Sequence, residues 1–184
     1  IVAVRTDPGG KGINVSKVIQ KLGSRSIAVG ILGGTTGKAI STALDTMGIE
    51  SDFSFAEGET RINLKVVDPV KHTNTDLNEP GLTVSDKLLG ELLQKLISRL
   101  EPGDLVMLSG SLPKGAPEDT YYVWGKACRE AGAKVFLDAD GELLKEGMRA
   151  APYLIKPNHQ ELSALLGKEL KGPEELESAA RALM

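Results

Sequence analysis

The segment Lys156-Pro-Asn-His-Gln-Glu161 places a lysine, an amide and a carboxylate within six residues. A lysine can face a phosphate as a point charge. A glutamate one turn further on can hold a water on Mg²⁺. Asn158 and Glu161 also have N-cap-to-N3 spacing, so a capping box explains them without any ligand. Asp138-Ala-Asp-Gly-Glu142 gathers three acidic side chains. It is no calcium loop: the glycine comes too early, and Arg149 stands where the bidentate glutamate is needed. A carboxylate facing a magnesium-bound phosphate and a capped helix start are both compatible with it.

Three other segments are built on glycine. Asp7-Pro-Gly-Gly-Lys-Gly-Ile-Asn14 precedes an apolar stripe of helical period. Its glycines free the backbone to approach a ligand, and the helix start offers unpaired N–H groups. The dinucleotide fingerprint fails, because Val15 takes the place of its last glycine. Gly33-Gly-Thr-Thr-Gly-Lys38 sits where a phosphate loop would. In Walker A register, however, Leu32 replaces the first glycine and Ala39 the hydroxyl residue. This segment is therefore expected to be a second backbone-lined edge of a ligand cleft. Ser109-Gly-Ser-Leu-Pro113 follows a strand, where open parallel sheets bind ligands.

Composition removes several function classes. With 22 basic and 25 acidic residues the net charge is −3, which does not suit a nucleic-acid binder. One cysteine and two histidines exclude a disulfide and a Cys- or His-rich metal site. No apolar run reaches membrane-spanning length, and the first residues lack a signal peptide's apolar core. A reducing, cytoplasmic setting is expected. Glycine accounts for 21 of 184 residues, above the usual ~7%, as suits an α/β protein with backbone-lined sites.

The elements that must position these segments follow from periodicity. Ser26–Leu32, Leu105–Leu108, Lys134–Leu137 and Tyr153–Ile155 are short apolar runs bounded by turn residues, as in a parallel sheet. Stripes at helical spacing lie between them. They are Val15, Val18, Ile19, Leu22; Ile40, Ala43, Leu44, Met47; Leu89 to Leu100; Tyr121, Trp124, Cys128, Ala131; and Leu176 to Leu183. The third stripe starts near a capping-box variant at Thr83-Val-Ser-Asp86. Alternating strands and helices predict right-handed βαβ units in a three-layer α/β domain. Thr60–Asp68 and Thr73–Asn78 break the rhythm as a polar hairpin. Phe53, Phe55 and Val2–Thr6 are expected to begin strands beside it.

Seven stretches carry a resemblance: DPGGKGINVSKV (7–18), GILGGTTG (30–37), TRINLKV (60–66), TDLNEPG (75–81), LSGSLPKG (108–115), FLDADGELL (136–144) and LIKPNHQEL (154–162). Together and in this order they resemble the PfkB/ribokinase-type carbohydrate kinases. Within that family they are most similar to the bacterial branch that converts fructose 1-phosphate to fructose 1,6-bisphosphate. The branch acting on tagatose 6-phosphate is the nearest alternative, and a non-catalytic sugar-phosphate-binding fragment is the other class.

The resemblance implies a ribokinase-like core over 7–51 and 82–184, with a β-sheet lid formed by 1–6 and 52–81. It implies ATP, Mg²⁺, a sugar-phosphate substrate and a homodimer through the lid. It assigns Gly10, Lys11, Asn14, Arg61 and Ser109 to the substrate. Lys156, Asn158 and Glu161 are assigned to ATP, and Glu161 (through water) and Asp138 to the metal. The family's general-base aspartate is expected after Met184 and a sugar-gripping aspartate before Ile1. The 184 residues alone are thus expected to be inactive. Pro102-Gly-Asp104 lies in a turn before a strand and is no substitute.

Overall fold

The computed structural model describes residues 3–183. They form two compact units, one of residues up to Leu92 with Pro113–Ala116, the other of Leu93–Leu112 with residues from Pro117 onward.

In the first unit, helix α1 (Lys11–Lys21) leads to strand β1 (Ile27–Gly33), helix α2 (Gly34–Thr46) and strand β2 (Glu50–Ala56). The strands pair in parallel, with Ile27 opposite Glu50 and Gly33 opposite Ala56. Their core is Ala28, Leu44 and Ile49, with Ile13, Ile40 and Phe53 packed against it. The strand at Phe53 and Phe55 therefore joins β1 and not the hairpin. A strand–helix–strand run returns on its own first strand when the helix covers one face. Residues 3–6 form no strand, and Val2 lies outside the described residues.

The hairpin is present but shorter than expected. Strand β3 (Asn63–Asp68) pairs antiparallel with β4 (Thr73–Asn78), leaving Thr60, Arg61 and Ile62 ahead of the ladder. Helix α3 (Asp86–Ile97) follows. Its cap is Ser85, whose Oγ accepts the Leu88 N–H at 3.3 Å. The capping residue thus lies two positions beyond the expected Thr83.

The α1 stripe is also corrected. Ile13 packs on the core and Ser16 is buried, whereas Val18 and Leu22 are 55% and 77% exposed. Val18 follows Ile13 by five positions, about 140° round the helix axis, so one face cannot bury both. The stripe of four apolar residues had the right period and the wrong phase.

The second unit alternates β5 (Leu105–Ser109), α4 (Thr120–Glu130), β6 (Lys134–Asp138), α5 (Gly141–Met148) and β7 (Leu154–Ile155). The three strands form a parallel sheet in the order β5-β6-β7. Val135, Leu137, Leu144 and Cys128 are its most deeply buried side chains. Burial pushes the Cys128 thiol up to about 11, which leaves it an inert packing group. Helices α6 (His159–Leu166) and α7 (Gly172–Ala182) close a small core of Leu162, Leu170 and Ala179.

The corrected phase of α1 gives a test. Leu44→Ala, at a fully buried position, should cost about 2–5 kcal/mol. Val18→Ala should stay within about 0.5 kcal/mol, as exposed substitutions do. Urea unfolding of both variants checks the contrast, and equal costs would refute the packing described.

Candidate active site

In the first unit, Gly10 caps α1 with φ 115°, a conformation that favours glycine. Space is open where its side chain would be. The Asn14 N–H closes the first turn on the Gly10 carbonyl at 2.9 Å, and both Lys11 and Asn14 are exposed or nearly so. The start of this helix is therefore a surface of backbone amides with small neighbours.

Arg61 lies on a segment held on both flanks, by Gly33 before it and Glu79 after it. The Thr60 N–H donates to the Gly33 carbonyl at 3.0 Å. The Gly33 N–H donates back to Thr60 Oγ1 at 2.8 Å. The Ile62 N–H donates to Glu79 Oε2 at 2.9 Å. The position of a Cβ on Gly81 would be 3.8 Å from Arg61 Cδ. The TRIN and TDLNEPG segments thus meet around one arginine.

The start of α2 does not have the expected role. Its amides are taken by the chain's own carboxylate: Glu59 accepts the Thr35 N–H at 2.9 Å and the Thr36 N–H at 3.0 Å. Thr35 Oγ1 adds a third donor at 3.2 Å. The glycines of GGTTG make room for this segment. A Cβ on Gly34 would sit 2.1 Å from the Glu59 carboxyl carbon, and one on Gly33 2.7 Å from the Gly58 carbonyl oxygen. These glycines suggest a ligand edge in the sequence because a ligand and a neighbouring segment need the same room.

In the second unit, the predicted residues gather at the carboxyl ends of the strands. Ser109 and Asp138 are register partners at the ends of β5 and β6. The Gly110 N–H donates to the Asp138 carbonyl at 3.1 Å. Lys156 follows β7, and its Nζ stands 3.3 Å from Asp138 Oδ1. Asp138 is 8% exposed, so the ammonium balances a largely buried carboxylate. Asn158 and Glu161 form a complete capping box at the start of α6. Asn158 Oδ1 accepts the Glu161 N–H at 2.9 Å, and Glu161 Oε2 accepts the Asn158 N–H at 2.7 Å. No side chain caps α5, at whose start Asp140 stands.

Sequence reasoning missed Glu59, Glu79 and the hydroxyl of Tyr121. The helical stripe accounts for Tyr121 only as a packing residue, and the residue is buried. Its O–H also donates to the Ser109 carbonyl at 2.9 Å, tying α4 to the loop after β5. Burial, then the Asp138 and Asp140 carboxylates, raise its pKa above the ordinary value. Glu59 stands directly before TRIN, which was the available signal.

The match to a family model decides the kinship: residues 2–184 fit the pfkB family carbohydrate kinase model. The chain belongs to the pfkB family. It is 40% identical to the 1-phosphofructokinase of Bacillus subtilis (strain 168), over 91% of this chain and 54% of that protein. It is 35% identical to the D-tagatose-1-phosphate kinase of Bacillus licheniformis, over 91% of this chain and 54% of that one. Its fold matches the tetrameric inhibited form of phosphofructokinase-2 from Escherichia coli. The TM-score is 0.90 at 30% identity, covering 99% of this chain and 60% of that one. The chain therefore spans little more than half the length of these relatives. The mixed α/β architecture with parallel sheets is that of the pfkB phosphofructokinases.

The α2 clamp carries a pH signature. Bonds from Thr35 and then Thr36 hold the Glu59 carboxyl below its ordinary value of 4.5. The folded state thus binds its proton less readily than the unfolded chain. The clamp's contribution is full above the ordinary value and is lost as pH falls through the lowered one. Thr35 and Thr36 amide shifts, followed by NMR, should hold steady above pH 4.5 and move together below it. Glu59→Gln should abolish the shared transition. A transition at higher pH would contradict the clamp.

Proposed function

We propose that the protein carrying this pfkB chain is an ATP-dependent 1-phosphofructokinase. In the reaction the 6-hydroxyl of fructose 1-phosphate attacks the γ-phosphorus of ATP. An O–P bond forms at C6, the bond to the ADP oxygen breaks, and the hydroxyl proton leaves. The products are fructose 1,6-bisphosphate, ADP and a proton.

The observation that carries the reading is Arg61, whose neighbours Thr60 and Ile62 are bonded to Gly33 and Glu79 in a chain of this family. A guanidinium offers forked N–H donors that suit a phosphate. Gly10, Lys11 and Asn14 would bind the sugar through amides and short polar groups, with Ser109 as a further substrate contact. Lys156 suits a nucleotide phosphate as a point charge. Asn158 and Glu161 define the start of α6 by capping it.

Mg²⁺ would be held here by few protein groups. Among the described residues no group of three His, Cys, Asp or Glu could hold a metal. Mg²⁺ in kinases is commonly held by one or two carboxylates together with phosphates and water. Glu161 would hold it through water, with Asp138 nearby in charge balance with Lys156. When bound, the ion neutralises charge on the transferred phosphoryl group.

The Bacillus licheniformis relative favours tagatose 1-phosphate as the second reading. It stands beside the tagatose 6-phosphate alternative as another sugar kinase of the family, and both ketose 1-phosphates would present the same phosphate to Arg61. A coupled assay of the full-length protein with ATP should show preference for fructose 1-phosphate over tagatose 1-phosphate. Turnover of ribose or adenosine with none of either ketose phosphate would overturn the reading. Arg61→Ala should raise KM about ten- to a hundred-fold, the worth of a charge-assisted bond. Arg61→Lys should restore only part, and an unchanged KM would remove Arg61 from the site.

We also propose that the β3–β4 hairpin is the centre of a lid; residues 52–56 of the expected lid belong instead to β2, paired with β1. Leu64, Val66 and Leu77 lie on one face of that hairpin, each about half exposed. Lys65 and Asp76 pair across the other face at 3.6 Å. A two-stranded sheet is marginal in water without cover, and the same face of a second copy would supply it. Light scattering of the full-length protein at micromolar concentration should show a dimer, and Leu64→Lys should dissociate it. A wild-type monomer would contradict the interface.

A further inference from the structure

The GGTTG segment and the TRIN segment are separated by more than twenty residues, yet the structure joins them in one device. Gly33 and Thr60 exchange three hydrogen bonds: Thr60 N–H to Gly33 C=O, Gly33 N–H to Thr60 Oγ1, and Thr60 O–H to Gly33 C=O at 3.2 Å. Glu59 grips the first turn of α2 through Thr35 and Thr36. The carboxylate fits only because Gly34, at φ 62°, carries no side chain. Arg61 directly follows Thr60.

We propose that Glu59 is a positioning residue for sugar-phosphate recognition, and that Gly33-Gly-Thr-Thr-Gly37 is the socket that seats it. The inference rests on the assignment of Arg61 to the substrate phosphate. Arginine has many rotamers, and an arginine on a loose loop must be ordered when the ligand binds. Here the backbone on both sides of Arg61 is ordered beforehand, by Glu59 and Thr60 before it and by Glu79 after it. The helix also absorbs an unfavourable charge. A carboxylate two positions from a phosphate-binding guanidinium would repel the substrate, and the amides and dipole at the start of α2 offset it. Glu59 thus acts on the phosphate only through the position of Arg61 and touches no reacting atom.

The test is a kinetic comparison in the full-length protein. Glu59→Gln keeps the size but gives up one of the two acceptor oxygens. It should raise KM for fructose 1-phosphate by about ten-fold, within the range of a lost charge-assisted bond. The value of kcat should stay within about two-fold, since no transition-state contact is removed. KM for unphosphorylated fructose should be the same in wild type and variant, a result that general loss of structure would not give. In an Arg61→Ala background, Glu59→Gln should add nothing further. Gly34→Ala, which displaces the carboxylate, should reproduce the pattern, and thermal melting identifies any variant that fails to fold. Should Glu59→Gln destabilise the protein, Thr60→Val supplies the same comparison from the other half of the socket.

An Arg61→Ala effect with no Glu59→Gln effect would overturn the positioning role and leave the proposed function standing. Equal losses for fructose and fructose 1-phosphate, or additive losses in the double variant, would make Glu59 merely structural. Absence of any Arg61→Ala effect would overturn the assignment of Arg61, and the positioning role with it.

Discussion

A helix leaves its first amides without partners, and the chain must satisfy them from somewhere. At α2 it does so with Glu59, and much of the first unit follows from that choice. Seating the carboxylate demands glycine at 34 and brings Thr60 onto the end of β1. From there the chain must leave with Arg61 before the hairpin can begin at Asn63. Glu79 then returns from the far side of the hairpin to fix Ile62. One unsatisfied helix end thus sets where an arginine stands.

The second unit meets a different constraint with the same materials. Parallel strands place their carboxyl ends together, and whatever follows them collects there. Ser109, Asp138 and Lys156 are thirty or fewer positions apart from one to the next, yet they share one edge of the β5-β6-β7 sheet. The buried Asp138 carboxylate needs a cation, and Lys156 supplies it. The ammonium itself stays largely exposed. Tyr121 holds the loop after β5 from below through its hydroxyl.

Much of this was legible in the sequence. Short apolar runs between glycines gave the strands, because burial on both faces leaves little room for polar residues. The capping box at Asn158 and Glu161 was legible from spacing alone. The phase of α1 was not, since four apolar residues at the right period do not say which of them meets β1. Nor was the cap of α3, where Ser85 and Thr83 offer similar hydroxyls. The role of GGTTG was hidden for a stronger reason. Space left by missing side chains looks the same in a sequence whether a ligand or another segment fills it. Only the distance from Gly34 to Glu59 tells the two apart.

The central claim is that the segment around Arg61 receives the phosphate of a ketose 1-phosphate. Hydrogen exchange of the full-length protein, with and without saturating fructose 1-phosphate, tests it directly. Backbone amides over 60–62 and 79–81 should slow with the sugar phosphate and should not respond to fructose at the same concentration. Saturable binding of fructose 1-phosphate with unchanged exchange over both segments would contradict the account.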